Sequence, residues 1–447
     1  MPREQPSTQA REVDAIIHAK WLIPMTETGL ILRDHCLVIQ QQLIREILPS
    51  AEVGKVYHSK EIYRLDEHVL IPGLINAHGH AAMSLLRGYA DDLALKPWLE
   101  DRIWPAEGRW VNEEFVRDGT ELALAEMLLA GTTAFTDMYF FPDFAAKAAL
   151  KANMRAHLAS PVLDFPTVWA KDPDEYIHKA MSLHDQYKHN EHITVGFGPH
   201  ATYTVSDKPM QTLATYASEL DIAIHMHVHE TAHEVQEAVQ KNGTRPLRHL
   251  EELGLLIPNL QCVHMTQFEA DEISLLADRG ASVVHCPASN MKLASGLCPV
   301  MALLEAGVTV ALGTDGCASN NELNMLNEMR LAALLGKIAS GDAASPSAWD
   351  VLKMATVNGA ELMGLSEQIG TLESGKYADI TAINLDRINS TPVYDPVSTL
   401  VYSTQSSQVS HVWVAGQLNV KNGELLSLDI QHLQDKARHW AEKIEAN

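Results

Sequence analysis

Cysteine is scarce in this chain of 447 residues, and the five present, Cys36, Cys262, Cys286, Cys298 and Cys317, are odd in number with no C-x-x-C pair. That argues against a disulfide framework and against a structural zinc knuckle, and it suits a reducing compartment. Cys262 and Cys286 lie in apolar runs and read as small core residues. Basic charge is also short: 34 Lys and Arg face 57 Asp and Glu, a formal net charge of −23. No basic footprint for nucleic acid or an anionic membrane follows from such a balance. No apolar run approaches the ~20 residues of a membrane-spanning helix. Residues 1–12, MPREQPSTQARE, are polar, lack the apolar segment of a secretory signal and read as a loose tail. The expectation is a cytoplasmic protein that takes a small neutral or cationic ligand.

What is present divides the chain by pattern. Residues 13–70 and 374–447 carry short β-like runs, including CLVIQQQLIREI and SHVWVAGQLNVKNGELLS, with Asn422-Gly423 as a hairpin turn. Two β-rich ends suggest one composite β-sandwich domain. Between them, residues 71–373 alternate apolar strand-like runs with helical patterns such as EEFVRDGTELALAEMLLA before Gly131. Repeated βα units predict a parallel (β/α)8 barrel, since right-handed crossovers let the last strand close on the first. An open doubly wound sheet is the rival, and no G-x-G-x-x-G follows any of the runs to support it.

The last residues of these eight runs are polar: His78 and His80, Asp137, Arg155, His200, His227, His264, His285 and Asp315. Catalytic groups of such barrels sit at the carboxyl ends of the strands, so the set reads as a site. His78 and His80, separated by one glycine, face the same side of a strand. With a strand-five histidine and Asp315 they make a metal site of nitrogen and oxygen donors. In IHMHVHE, period two cannot choose among His225, His227 and His229. Position favours His227, with Glu230 in the turn beyond it as an acid/base able to reach a metal-bound water.

PGLINAHGH, HVHET, VHMT and LGTDG, in that order, together with GTLESGKYADI near the end, resemble the amidohydrolase superfamily. The resemblance spans nearly the whole chain and implies a metal-dependent hydrolase in which a β-sandwich from both termini accompanies the barrel. Binuclear members place a lysine at the end of strand four; here that strand ends GFGPHATY, so one divalent ion is expected. The implied ligands are His78, His80, His227 and Asp315, with zinc the default and iron(II) also suited. Asp315 would take the proton of the attacking water, Glu230 would protonate a ring nitrogen, and His264 would orient the water.

The long segment LLRGYADDLALKPWLEDRIWPAEGRW follows strand one, where barrel enzymes place specificity. It is similar to the matching segment of the methylthioadenosine/S-adenosylhomocysteine deaminases, and Glu107 matches the glutamate that follows their Trp-Pro pair. A carboxylate can accept both hydroxyls of a ribose. Arg155 and His200 match further substrate-contacting positions, and Trp98 and Trp104 are candidates for an apolar wall. His285, Asn290 and Lys292 lie in a motif shared across the superfamily and do not select a substrate. The expected reaction is hydrolytic deamination of an adenosine-type nucleoside by a homo-oligomer. The alternatives are a guanine-type or triazine hydrolase of the same superfamily and, more distantly, a non-catalytic scaffold.

Overall fold

A computed structural model describes residues 10–446. Eight parallel strands form one sheet in consecutive order: β1 Leu74–Asn76, β2 Thr132–Asp137, β3 Arg155–Val162, β4 Ile193–Pro199, β5 Ile224–Val228, β6 Leu260–His264, β7 Ser282–His285 and β8 Val310–Leu312. The barrel closes where Ala77 donates its N–H to the Leu312 carbonyl at 2.8 Å and Asp315 donates to that of His78 at 3.0 Å. The expected (β/α)8 architecture is the observed one. Strands and surrounding helices share one continuous apolar core, in which Leu124, Leu128, Leu158, Phe197, Met226 and Leu276 are buried.

The helical patterns mature as their end signals dictate. Asn112 caps the helix Glu113–Leu129 by accepting from the Phe115 N–H at 2.9 Å, and Gly131, at φ +88°, turns the chain into β2. The two chain ends build a second sheet of eight strands, four from Ala15–Leu22, Leu32–Gln40, Leu43–Pro49 and Glu61–Pro72 and four from Ile380–Asn384, Val409–Val414, Gln417–Lys421 and Glu424–Leu425. This is one continuous sheet that folds over on itself: Leu37, Ile39 and Ile44 share a buried cluster with Ile380, Ala382 and Trp413. Asn422 and Gly423 both take positive φ in the tight hairpin read from the sequence.

Three details differ from the sequence reading. The run VLIPGLIN splits at Gly73, so that its first half belongs to the small sheet and only Leu74–Asn76 to the barrel. A Cβ at Gly73 would lie 2.0 Å from the Thr133 hydroxyl, which explains the glycine at this crossing. Helix Ile430–Glu445 is not part of the small sheet; Trp440 and Ile444 bury against Phe115 and Val116 of the barrel helix. Of the expected tail, residues 1–9 lie outside the described residues, while Arg11–Glu12 pair as a strand with Tyr57–His58.

Candidate metal centre and active site

Four imidazoles and one carboxylate converge at the carboxyl end of the barrel. Donor atoms of His78, His227 and His264 lie within 4.8 Å of one another, as do those of His78, His80 and Asp315. His78 and His80 present Nε2 to the same Asp315 Oδ1, at 3.4 and 3.2 Å.

Hydrogen bonds fix which nitrogen each ring offers. His80 Nδ1 meets the Met138 carbonyl at 2.7 Å and His227 Nδ1 meets the His200 carbonyl at 2.9 Å. A carbonyl only accepts, so both Nδ1 atoms carry protons and both Nε2 atoms are left for a metal. His264 Nδ1 lies 2.9 Å from Asn290 Oδ1. His78 Nε2 is buried and has no hydrogen-bond partner among the described residues. Three imidazole nitrogens and a carboxylate gathered in one buried cluster fit a cation. Burial alone would raise Asp315, but His78 and His80 outweigh it and hold the carboxyl well below its usual range. Asp315 Oδ2 accepts from Ser289 at 2.6 Å and Ser319 at 2.8 Å, and Oδ1 from the Gly316 N–H at 2.7 Å.

The backbone around the site is strained. His229, His264, Met265 and Asp315 all have positive φ, a region that costs non-glycine residues ~1–3 kcal/mol. Such strain persists only where the surroundings over-determine it, here at the ends of β5, β6 and β8.

Glu230 is seated by the helix that follows it. Thr231 caps Ala232–Asn242, and the Glu234 carboxylate accepts from the backbone N–H groups of His229 at 3.2 Å and Glu230 at 2.6 Å. Its own carboxyl lines the pocket, with Oε2 3.9 Å from His264 Nε2. Burial and the nearby Asp315 push its pKa up to about 8, so it is protonated at neutral pH.

Glu107 enters the same pocket from the segment after β1. A π-helical stretch, Leu99–Ile103, separates the α-helical Leu95–Trp98 and Trp104–Trp110, and Glu107 is 8 % exposed on the last of these. Burial raises its pKa to about 7, opposed by a 2.7 Å hydrogen bond donated by Tyr139. Tyr139 escaped the sequence reading because it follows the strand end in MYFF like any core aromatic. His200 also lines the pocket, its Nδ1 3.1 Å from the Thr204 hydroxyl. Trp104 packs against Phe165 with ring centroids 6.2 Å apart, and both face the pocket.

Arg155 is a correction. It opens β3 and so lies at the opposite end of the barrel from the pocket. Its guanidinium is fully buried, donating from Nε to Asp379 at 2.7 Å, from Nη2 to Asp379 at 3.3 Å and from Nη1 to the Glu191 carbonyl at 2.6 Å. It ties the barrel to the segment that enters the small sheet. The carboxyl end of β3 is Pro161-Val162, and Pro161 lines the pocket. Lys292 braces a loop through Asp91, at 2.6 Å, and the Ala318 carbonyl, at 3.1 Å, while His285 is buried at the carboxyl end of β7.

Comparison with known proteins agrees with this architecture. The amidohydrolase family profile matches residues 69–419. The 5-methylthioadenosine/S-adenosylhomocysteine deaminase of Teredinibacter turnerae is 49% identical over 439 residues, covering 98% of this chain and 99% of the relative. An adenosine deaminase from Xanthomonas campestris, solved with bound zinc, is 42% identical with a TM-score of 0.97, over 98% of this chain and 100% of the other. An atrazine chlorohydrolase from Arthrobacter aurescens TC1 complexed with zinc has a TM-score of 0.87 at 26% identity, over 95% of this chain and 99% of the other. The chain belongs to the amidohydrolase family.

Proposed function

We propose that the protein is a metal-dependent hydrolytic deaminase that exchanges the 6-amino group of an adenosine-type nucleoside for oxygen, consuming water and releasing ammonia. The observation that carries this reading is that Glu107 lines one pocket with His80, His227 and Asp315, beneath which His78 completes the cluster. Zinc is the ion we assign to His78, His80, His227 and Asp315, with iron(II) the second fit to the same donors. When bound, a divalent ion supplies a water acidic enough to ionise near neutral pH.

The protein groups do the rest. Glu230, protonated at neutral pH, donates to a purine ring nitrogen and makes the adjacent carbon electrophilic. Asp315 takes the proton of the attacking water, oriented by His264 Nε2, and the proton passes to the departing amine. His200 faces the purine. Glu107, held by Tyr139, accepts the two ribose hydroxyls. Trp104 and Phe165 give the 5′ substituent an apolar wall, and no lysine or arginine is among the described residues lining the pocket. That lining supports methylthioadenosine and adenosine over S-adenosylhomocysteine, whose amino-acid arm carries a carboxylate.

The remaining assignments are a cytoplasmic location, supported by five buried free cysteines, and a homo-oligomer, which light scattering tests. No helix among the described residues is long and apolar enough to cross a membrane. Incubating metal-loaded protein with methylthioadenosine tests the function. Ammonia release with the absorbance change to the inosine analogue is expected, and neither signal appearing would defeat the proposal.

A further inference from the structure

His80 and His227 each rest Nδ1 on a backbone carbonyl, but His78 does not. Its Nδ1 lies 2.8 Å from Nε2 of His225, a fully buried ring one layer lower in the barrel. His225 Nδ1 in turn lies 2.8 Å from Gln261 Oε1, and Gln261 Nε2 donates to the Leu362 carbonyl at 2.5 Å. The direction of this chain is determined from its far end. The Leu362 carbonyl can only accept, so the Gln261 amide must turn its nitrogen there and its oxygen to His225. His225 therefore carries its proton on Nδ1 and offers a lone pair at Nε2. That lone pair accepts the Nδ1 proton of His78, which leaves His78 Nε2 as the free donor beside Asp315.

We infer that Gln261 and His225 form a positioning relay that fixes the tautomer and ring orientation of His78 and thereby sets the metal affinity of the site. Both nitrogens of His225 are spent in the relay, so it is not itself a ligand, which removes it from the three histidine candidates of strand five. The backbone carbonyl that orients the other two histidines directly is reached here through two side chains. Neither Gln261 nor His225 lines the pocket that holds Glu230 and Asp315. Partners of this kind change metal affinity by ~10–100-fold when removed.

The inference rests on the metal reading of the site, and zinc affinity measured by chelator competition separates the two. Failure of the parent protein to bind zinc would remove the metal reading itself. With the parent binding, Gln261→Met, of similar volume, is expected to weaken zinc ~10–100-fold while the metal-free protein still melts cooperatively. The double variant with His225→Leu should bind no more weakly than His225→Leu alone, because a broken relay cannot be broken twice. His225→Gln, whose amide oxygen can accept from His78, should recover part of the affinity lost in His225→Leu. Cys262→Ala, on the outward face of the same strand, controls for packing and should leave zinc binding unchanged. Affinity within twofold of the parent in folded Gln261→Met, additive losses in the double variant, or an equal loss in Cys262→Ala would overturn the relay.

Discussion

The two ends of the barrel bury charged groups in opposite ways. At the amino end, Arg155 and Asp379 form a bidentate pair, and the guanidinium also donates to the Glu191 carbonyl, so its charge is met. At the carboxyl end, neither His78 Nε2 nor Asp137 Oδ2 has a hydrogen-bond partner among the described residues, and His264 and Asp315 hold strained backbones. The first arrangement is complete within the protein and fastens barrel to sheet. The second is complete only with something added. Burial and charge are common to both ends; unpartnered polar atoms and a run of strained backbones coincide at the carboxyl end, around one cluster of imidazoles and carboxylates.

That contrast can be broken from either side. The largest effect is expected at Glu230→Gln, which should lower kcat ~10²–10⁴-fold while zinc binding and thermal stability hold. Its pH profile carries the sign: Glu230 is raised to about 8, so the acid form exists below that value. Activity should fall as pH rises through about 8, and Glu230→Gln should lack that limb. At the other end, Arg155→Met leaves Asp379 buried without its partner, and denaturant melts should show a loss of ~3–5 kcal/mol. Zinc affinity and kcat of the Arg155→Met protein that remains folded should match the parent. A changed KM for nucleoside would restore Arg155 to the substrate site.

Smaller effects sharpen the pocket. Glu107→Gln should cut kcat/KM for methylthioadenosine by ~10–100-fold, the loss of charge-assisted bonds worth ~1.5–3 kcal/mol. An enzyme for bare heterocycles would hardly register the change. Tyr139→Phe removes one neutral donor from Glu107 and should cost ~3–10-fold in the same assay.

Much of this was legible in the sequence because periodicity and order carry it. Alternating apolar runs specify the barrel, and His78, His80, Glu230, His264 and Asp315 stand at the ends of those runs where a parallel barrel gathers them. Arg155 was misread because a polar residue within a run does not announce which end of the strand it occupies. Its partner Asp379 lies 224 positions away. The role of His225 was hidden for a different reason. Three histidines at period two are equivalent until tertiary neighbours, here Gln261 and the Leu362 carbonyl, use up the nitrogens of one. Ser289, Ser319 and Tyr139 gave no signal, since a hydroxyl that braces a carboxylate looks like any other small polar or aromatic residue. The split of the first barrel run at Gly73 follows from a crowded crossing with Thr133, which no pattern of hydropathy records.

The most direct test of the central claim is a zinc titration of metal-free protein with methylthioadenosine present and ammonia release as the signal. Activity should rise from none and reach its plateau at one zinc per chain. A plateau that needs two, or activity in the fully metal-free protein, would contradict the mononuclear metal-dependent deaminase described above.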